Sequence, residues 1–309
     1  MAQHTSRSDT WFAAARATQP NTEVETVQAI RCTLTRGWIQ VLFGGLILFY
    51  ALNNVYQATG NPNFVPSLLV LGAFLVPVVL VLWVYEHPLP ERIPPSAVAW
   101  NFLWGGVLGV IVAGMLEYDT YRTLGFLPLL AVGLIEEAAK LIVPLVFFLR
   151  WRYRSEMAGL LFGLASGMGF AALETLGYAF TALIASRGNV GLAEFVLLVR
   201  GFLSPAGHAA WTALVTATLW RERVHHGHAG LTRATPGAYL LAVALHTLWD
   251  TFQIMSSVTR VDWLGIEVLS ALVALSSVTL LARRYREARR QAVAAASAMS
   301  GSQRNGSPS

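Results

Sequence analysis

Glu136, Glu137 and Lys140 stand in the middle of roughly 25 otherwise apolar residues, with Phe126, Leu127, Leu129 and Leu130 before them and Leu141, Ile142, Val143 and Phe147 after. Few folds accept such a run. Its length and apolarity suit a bilayer, where the backbone must satisfy its own hydrogen bonds and a helix is the simple solution. An isolated ion at the bilayer centre costs about 2.5–3.5 kcal/mol on insertion scales, so three of them require partners from elsewhere in the chain. On a helix Glu136 lies four residues before Lys140 and Glu137 three, so both carboxylates can share the ammonium. A reactive centre inside a multi-helix membrane bundle is the reading that follows.

Composition extends this reading to the whole chain. Of 309 residues 55% are hydrophobic and 13% charged, against about a quarter charged in soluble domains. The apolar runs are continuous rather than alternating, which excludes a β-barrel and predicts an all-α polytopic bundle. Spans are predicted at about 37–56, 64–85, 97–116, 124–149, 157–184, 191–220, 236–255 and 263–282. Pro128, Pro144 and Pro205 predict kinks in the fourth and sixth. The arginines test this count: Arg36, Arg92, Arg150, Arg152, Arg154, Arg221 and Arg283 fall on alternate loops, and only Arg122, Arg187 and Arg260 on the opposite ones. The positive-inside rule then predicts an even number of crossings, about eight, with both termini cytoplasmic.

Three parts are expected. Residues 1–36 form a cytoplasmic tail with a short amphipathic segment through Val24, Val27, Ile30 and Leu34, and residues 37–282 form the transmembrane bundle, its catalytic core at about 124–252. Residues 283–309 form a flexible basic tail. The net charge of +5 reports topology and not nucleic-acid binding, since the arginines sit beside the spans and build no basic domain. A single cysteine, Cys32, excludes an internal disulfide and a thiolate metal cluster, and no removable signal peptide is expected.

Further polar groups interrupt the later spans. The fifth carries Glu174, the sixth His208 after Pro205, and the seventh His246 and Asp250, one helical turn apart on one face. At 1.5 Å per residue each lies between about a third and two thirds of the way across, so a shared site is geometrically feasible. Small residues such as Gly163, Gly167 and Gly169 on the fifth span and Gly207 and Ala209 on the sixth permit close helix approach. Such a site can hydrolyse in two ways. A buried glutamate can activate water while an imidazole or ammonium stabilises the oxyanion, or His208, His246, Asp250 and Glu174 can hold a Zn2+ whose water attacks. Buried carboxylates and histidines also mark proton-coupled transporters and ion pathways, which is the competing class of function.

In order along the chain, Glu136, Glu137 and Lys140, then Phe170 with Glu174, then His208, then His246 with Asp250 resemble the signatures of the PrsW family of intramembrane proteases, related to the CAAX-processing membrane proteases. The correspondence covers about 124–252. Glu174 and Asp250 stand where the CAAX-processing branch has histidine and asparagine, which favours the PrsW branch. The resemblance implies peptide-bond hydrolysis with Glu136 as base and Glu137, Lys140, Glu174, His208, His246 and Asp250 around it. It also implies membrane-anchored substrates such as anti-sigma factors, in a bacterial cytoplasmic membrane.

Bland readings stand beside these. The Glu–Glu–Lys block can be a structural ion pair, His246 with Asp250 an interhelical clip, His208 a partner for carbonyls freed at Pro205, and Glu174 a protonated core carboxyl. Arg200 and Glu194 are expected to be interfacial anchors, Trp100, Trp220 and Trp263 an aromatic belt, and His225, His226 and His228 a solvated loop cluster.

Overall fold

The computed structural model describes residues 36–87, 89–226, 232–258 and 263–305, and the described residues hold helices and turns with no strand. In chain order the helices are α1 (Gly37–Thr59), α2 (Val65–Tyr85), α3 (Pro95–Leu124), α4 (Leu129–Lys140), α5 (Ile142–Leu149), α6 (Glu156–Ala185), α7 (Val190–Leu203), α8 (His208–His226), α9 (Ala234–Val258) and α10 (Trp263–Asn305). Among the described residues six helical segments are long and apolar enough to cross a membrane, namely Gly37–Thr59, Pro62–Tyr85, Pro95–Leu124, Glu156–Ala185, Val190–His226 and Gly265–Ala294. The remaining two expected spans are the α4–α5 pair, broken in the middle beside Lys140, and α9 with His246 and Asp250. The amphipathic segment at 24–34 lies outside the described residues.

α6 is the axis of the bundle. From Glu156 to Ala172 every residue is buried, with Leu160, Leu161, Phe162, Ala165, Met168 and Ala172 at the core, and α3 and α8 both pack along it. Its small residues make this possible. A Cβ on Gly169 would strike the carbonyl of Phe102 on α3, and one on Gly167 the carbonyl of His208 on α8, so both neighbours approach at backbone distance. Without a hydrophobic drive between helices in lipid, such contact supplies the packing that holds them.

The fourth span breaks where its prolines sit. Pro128 is the residue before α4, and Pro144 lies in the first turn of α5, separated from α4 by Leu141. Lacking an N–H, Pro144 leaves the carbonyl of Lys140, four residues earlier, without its helical partner. Ser166 Oγ on α6 donates to that carbonyl at 2.6 Å, so the break is closed by the central helix and Lys140 is fixed against it. Pro205 acts similarly, sitting in the 3-10 turn Ser204–Ala206 that separates α7 from α8 and sets His208 at the start of α8.

Three expectations change. The third span is longer than its apolar run, since α3 continues to Leu124 and takes in Glu117. Trp220 is no interfacial belt residue: it is fully buried between Phe148 and Phe162, and its Nε1 donates to the Tyr153 carbonyl at 3.0 Å. α10 stays helical to Asn305 through the segment expected as a tail, because Ala and Arg are strong helix formers.

Candidate active site

Lys140 is the hub. Its side chain is fully buried, and Nζ lies 2.8 Å from Glu137 Oε1, 3.1 Å from Glu136 Oε2 and 2.8 Å from His208 Nδ1, over the face of Phe170. Glu137 and His246 are buried almost as deeply, at 1% and 2% exposure. One helical turn on α4 therefore gathers both carboxylates on its ammonium, as the spacing predicted, and adds an imidazole from α8.

The ring tautomers follow from these partners. An ammonium can only donate, so His208 Nδ1 accepts from Lys140, and Nε2, which then carries the ring proton, lies 3.0 Å from Glu174 Oε2. A carboxylate can only accept, so His246 Nδ1–H donates to Glu137 Oε1 at 2.9 Å. His246 Nε2 then faces Glu136 Oε2 at 3.6 Å and Asp250 Oδ2 at 3.4 Å. Trp211 on α8 stacks on the His246 ring and is itself fixed by donating to Ser277 Oγ on α10.

Arg200 extends the chain of contacts. It was expected at the interface, but its Nη2 lies 2.9 Å from Glu174 Oε2 and its guanidinium stacks over Tyr178. The apolar sequence around Arg200 hid this role; its position one turn before the Pro205 break was the only signal. A continuous run of contacts thus passes from Arg200 (α7) through Glu174 (α6), His208 (α8), Lys140 and Glu137 (α4) to His246 and Asp250 (α9). All seven residues singled out from the sequence meet in it or touch it. The cluster His225, His226 and His228 does not: His226 Nδ1 is 3.0 Å from the Glu222 carbonyl at the far end of α8, and His228 lies outside the described residues.

A cavity of about 440 Å³ opens onto this run, lined by Glu136, Glu174, His208, Trp211 and Asp250 together with Arg200. Its other walls come from Leu129 and Val132 near the start of α4 and from Gln253 and Ile254 near the end of α9. Those positions share one end of the bundle, so the cavity runs from that end to the middle. Glu117 of α3, which the sequence reading placed just beyond a span, lines it too.

The donor chemistry fits a divalent ion. Glu136, His208 and His246 each offer a ligand atom, all within 4.8 Å of one another. His246 Nε2 stands 3.4–3.6 Å from two carboxylate oxygens, close to the edge of about 3.4 Å for a tetrahedron with arms of about 2.0–2.2 Å. Glu137 behind the ring supplies the outer carboxylate usual at such ligands. His208 would join by releasing either Lys140 or Glu174, since both of its nitrogens are engaged. Relative to the ligand set expected from sequence, Glu136 enters this group and Glu174 stands behind His208.

No curated protein and no solved structure matches the chain. The family model described as PrsW family intramembrane metalloprotease matches residues 93–281, which contain the whole cavity and the contact run around Lys140, and the chain therefore belongs to the PrsW family of intramembrane proteases.

Proposed function

We propose that this membrane peptidase cleaves membrane-anchored proteins at the cavity beside Glu136, with Glu136 as the base. The observation that carries this is the contact run itself: acidic and imidazole groups from separate helices brought together beside a cavity of about 440 Å³ in an apolar bundle. In the cycle Glu136 takes a proton from water, the water oxygen attacks the scissile carbonyl carbon, and the proton passes to the departing amine as the C–N bond breaks. General-base assistance of this kind contributes about 10²–10⁴-fold. Lys140 holds the charge of Glu136 and Glu137, His246 and Asp250 orient the water, and Arg200, whose Nη2 alone lies on Glu174, offers its other N–H groups to the developing oxyanion.

Should the enzyme work with Zn2+, Glu136, His208 and His246 would hold it, and the ion would supply Lewis-acid polarisation and a more acidic water. With eight crossings and both termini on the arginine-rich side, the cavity opens on the opposite, extracytoplasmic side. The substrate is then a protein with a single membrane anchor whose cut site lies in or just beyond the outer leaflet, and anti-sigma factors are one class to try.

The test is to incubate the purified protein with single-span peptides, with and without a chelator, beside Glu136→Gln. Cleavage by the wild type and a loss of at least about 10²-fold in the variant are expected. Full turnover by Glu136→Gln would remove the proposed base, and cleavage that survives chelation would remove the metal.

A further inference from the structure

Four carboxylates line the cavity, from Glu117, Glu136, Glu174 and Asp250, against the single guanidinium of Arg200. Three of them have counter-groups supplied by the chain. Glu136 sits 3.1 Å from Lys140, Glu174 holds Arg200 and His208, and Asp250 faces His246 at 3.4 Å. Glu117 differs: among the described residues no ion pair includes it, and its buried Oε1 has no hydrogen-bond partner. It lies on α3, about 10 Å short of the helix end at Leu124, partly buried and lining the cavity, where a carboxylate without a counter-group is costly to desolvate. Among the described residues each carboxylate of this wall thus has a basic side chain within ion-pair distance except Glu117.

We propose that Glu117 is a specificity determinant of this peptidase, forming a subsite that selects a substrate with a lysine or arginine side chain close to the scissile bond. The proposal rests on the peptidase reading above and adds which sequence the enzyme cuts. A basic side chain entering the cavity supplies the missing counter-ion and can hydrogen-bond the free Oε1. An aliphatic one strips water from Glu117 and returns nothing, and an acidic one meets the like charge of Glu117. The discrimination is therefore of the strong kind, arising from a polar group left unpaired by the wrong substrate.

The test uses the full-length protein reconstituted in lipid and a mixture of single-span peptides. At each position flanking the cut, Lys, Arg, Met, Gln or Glu is varied, and products are read by mass spectrometry. The wild type is expected to favour Lys or Arg over Met at one position by at least about tenfold. Glu117→Gln should flatten that ratio, and Glu117→Lys should turn it toward Glu. Because the ratio is taken within each variant, a smaller folded fraction does not move it. A wild-type profile without basic enrichment, or an unchanged ratio in Glu117→Gln, would overturn the proposal. Loss of all cleavage in Glu117→Gln alone would overturn it in favour of a catalytic role. Failure of the wild type to cut any peptide would strike the peptidase reading first, and the subsite with it.

Discussion

Replacing Lys140 by methionine is the most informative single change to the bundle. Methionine keeps most of the aliphatic volume beside Phe170 and removes only the ammonium. In the native chain that ammonium lies within 3.1 Å of two carboxylates and one imidazole, and among the described residues only His246 besides it forms an ion pair with Glu137. Glu137 is 1% exposed, so water cannot take the place of Lys140. Breaking a buried pair by deleting one partner costs about 3–5 kcal/mol, a large share of a net stability of about 5–15 kcal/mol. Lys140→Met should therefore lose about 3–5 kcal/mol in equilibrium unfolding in mixed detergent micelles followed by tryptophan fluorescence. Adding Glu137→Gln removes the stranded charge and should restore more than half of the loss. A Lys140→Met protein within about 1 kcal/mol of wild type, or a double variant no better than the single one, would refute the hub described here.

Other perturbations test the scaffold and the chemistry. Ser166→Ala orphans the Lys140 carbonyl at the Pro144 break and should cost about 1–3 kcal/mol in the same unfolding measurement. Gly167→Val drives a side chain into the His208 carbonyl and should displace α8, lowering both stability and peptide cleavage, whereas substitution at Gly114, which faces open space, should leave both unchanged. If Zn2+ is bound, exhaustive chelation should lower thermal stability as well as activity, and added Zn2+ should restore both; His246→Ala should abolish that zinc response.

Much of the bundle was legible because bilayer insertion leaves a strong mark. The apolar runs gave the helices, and Pro128, Pro144 and Pro205 gave the breaks within about a turn. The block at Glu136, Glu137 and Lys140 declared itself because ions inside apolar sequence require a reason, and i,i+3 and i,i+4 spacing set the geometry seen. Partner choice across helices was not legible. Nothing local says that Arg200 reaches Glu174 or that Ser166 closes the break beside Lys140, since both depend on the packing of α6 against its neighbours. Glu117 escaped notice because it follows the last apolar residues of its span, where a charge normally reports the membrane boundary. Trp220 was misassigned for the converse reason: a tryptophan near a span end suits the interface, and only the neighbours Phe148 and Phe162 reveal that it is core.

The most direct measurement of the central claim is hydrolysis of a single-span peptide by the reconstituted protein in water enriched in oxygen-18. If the groups around Glu136 activate a water, the wild-type product carries the heavy oxygen in its new carboxyl group, and Glu136→Gln yields almost no product. Labelled product formed at the wild-type rate by Glu136→Gln, or proton flux across the bilayer with no peptide cut, would contradict the account.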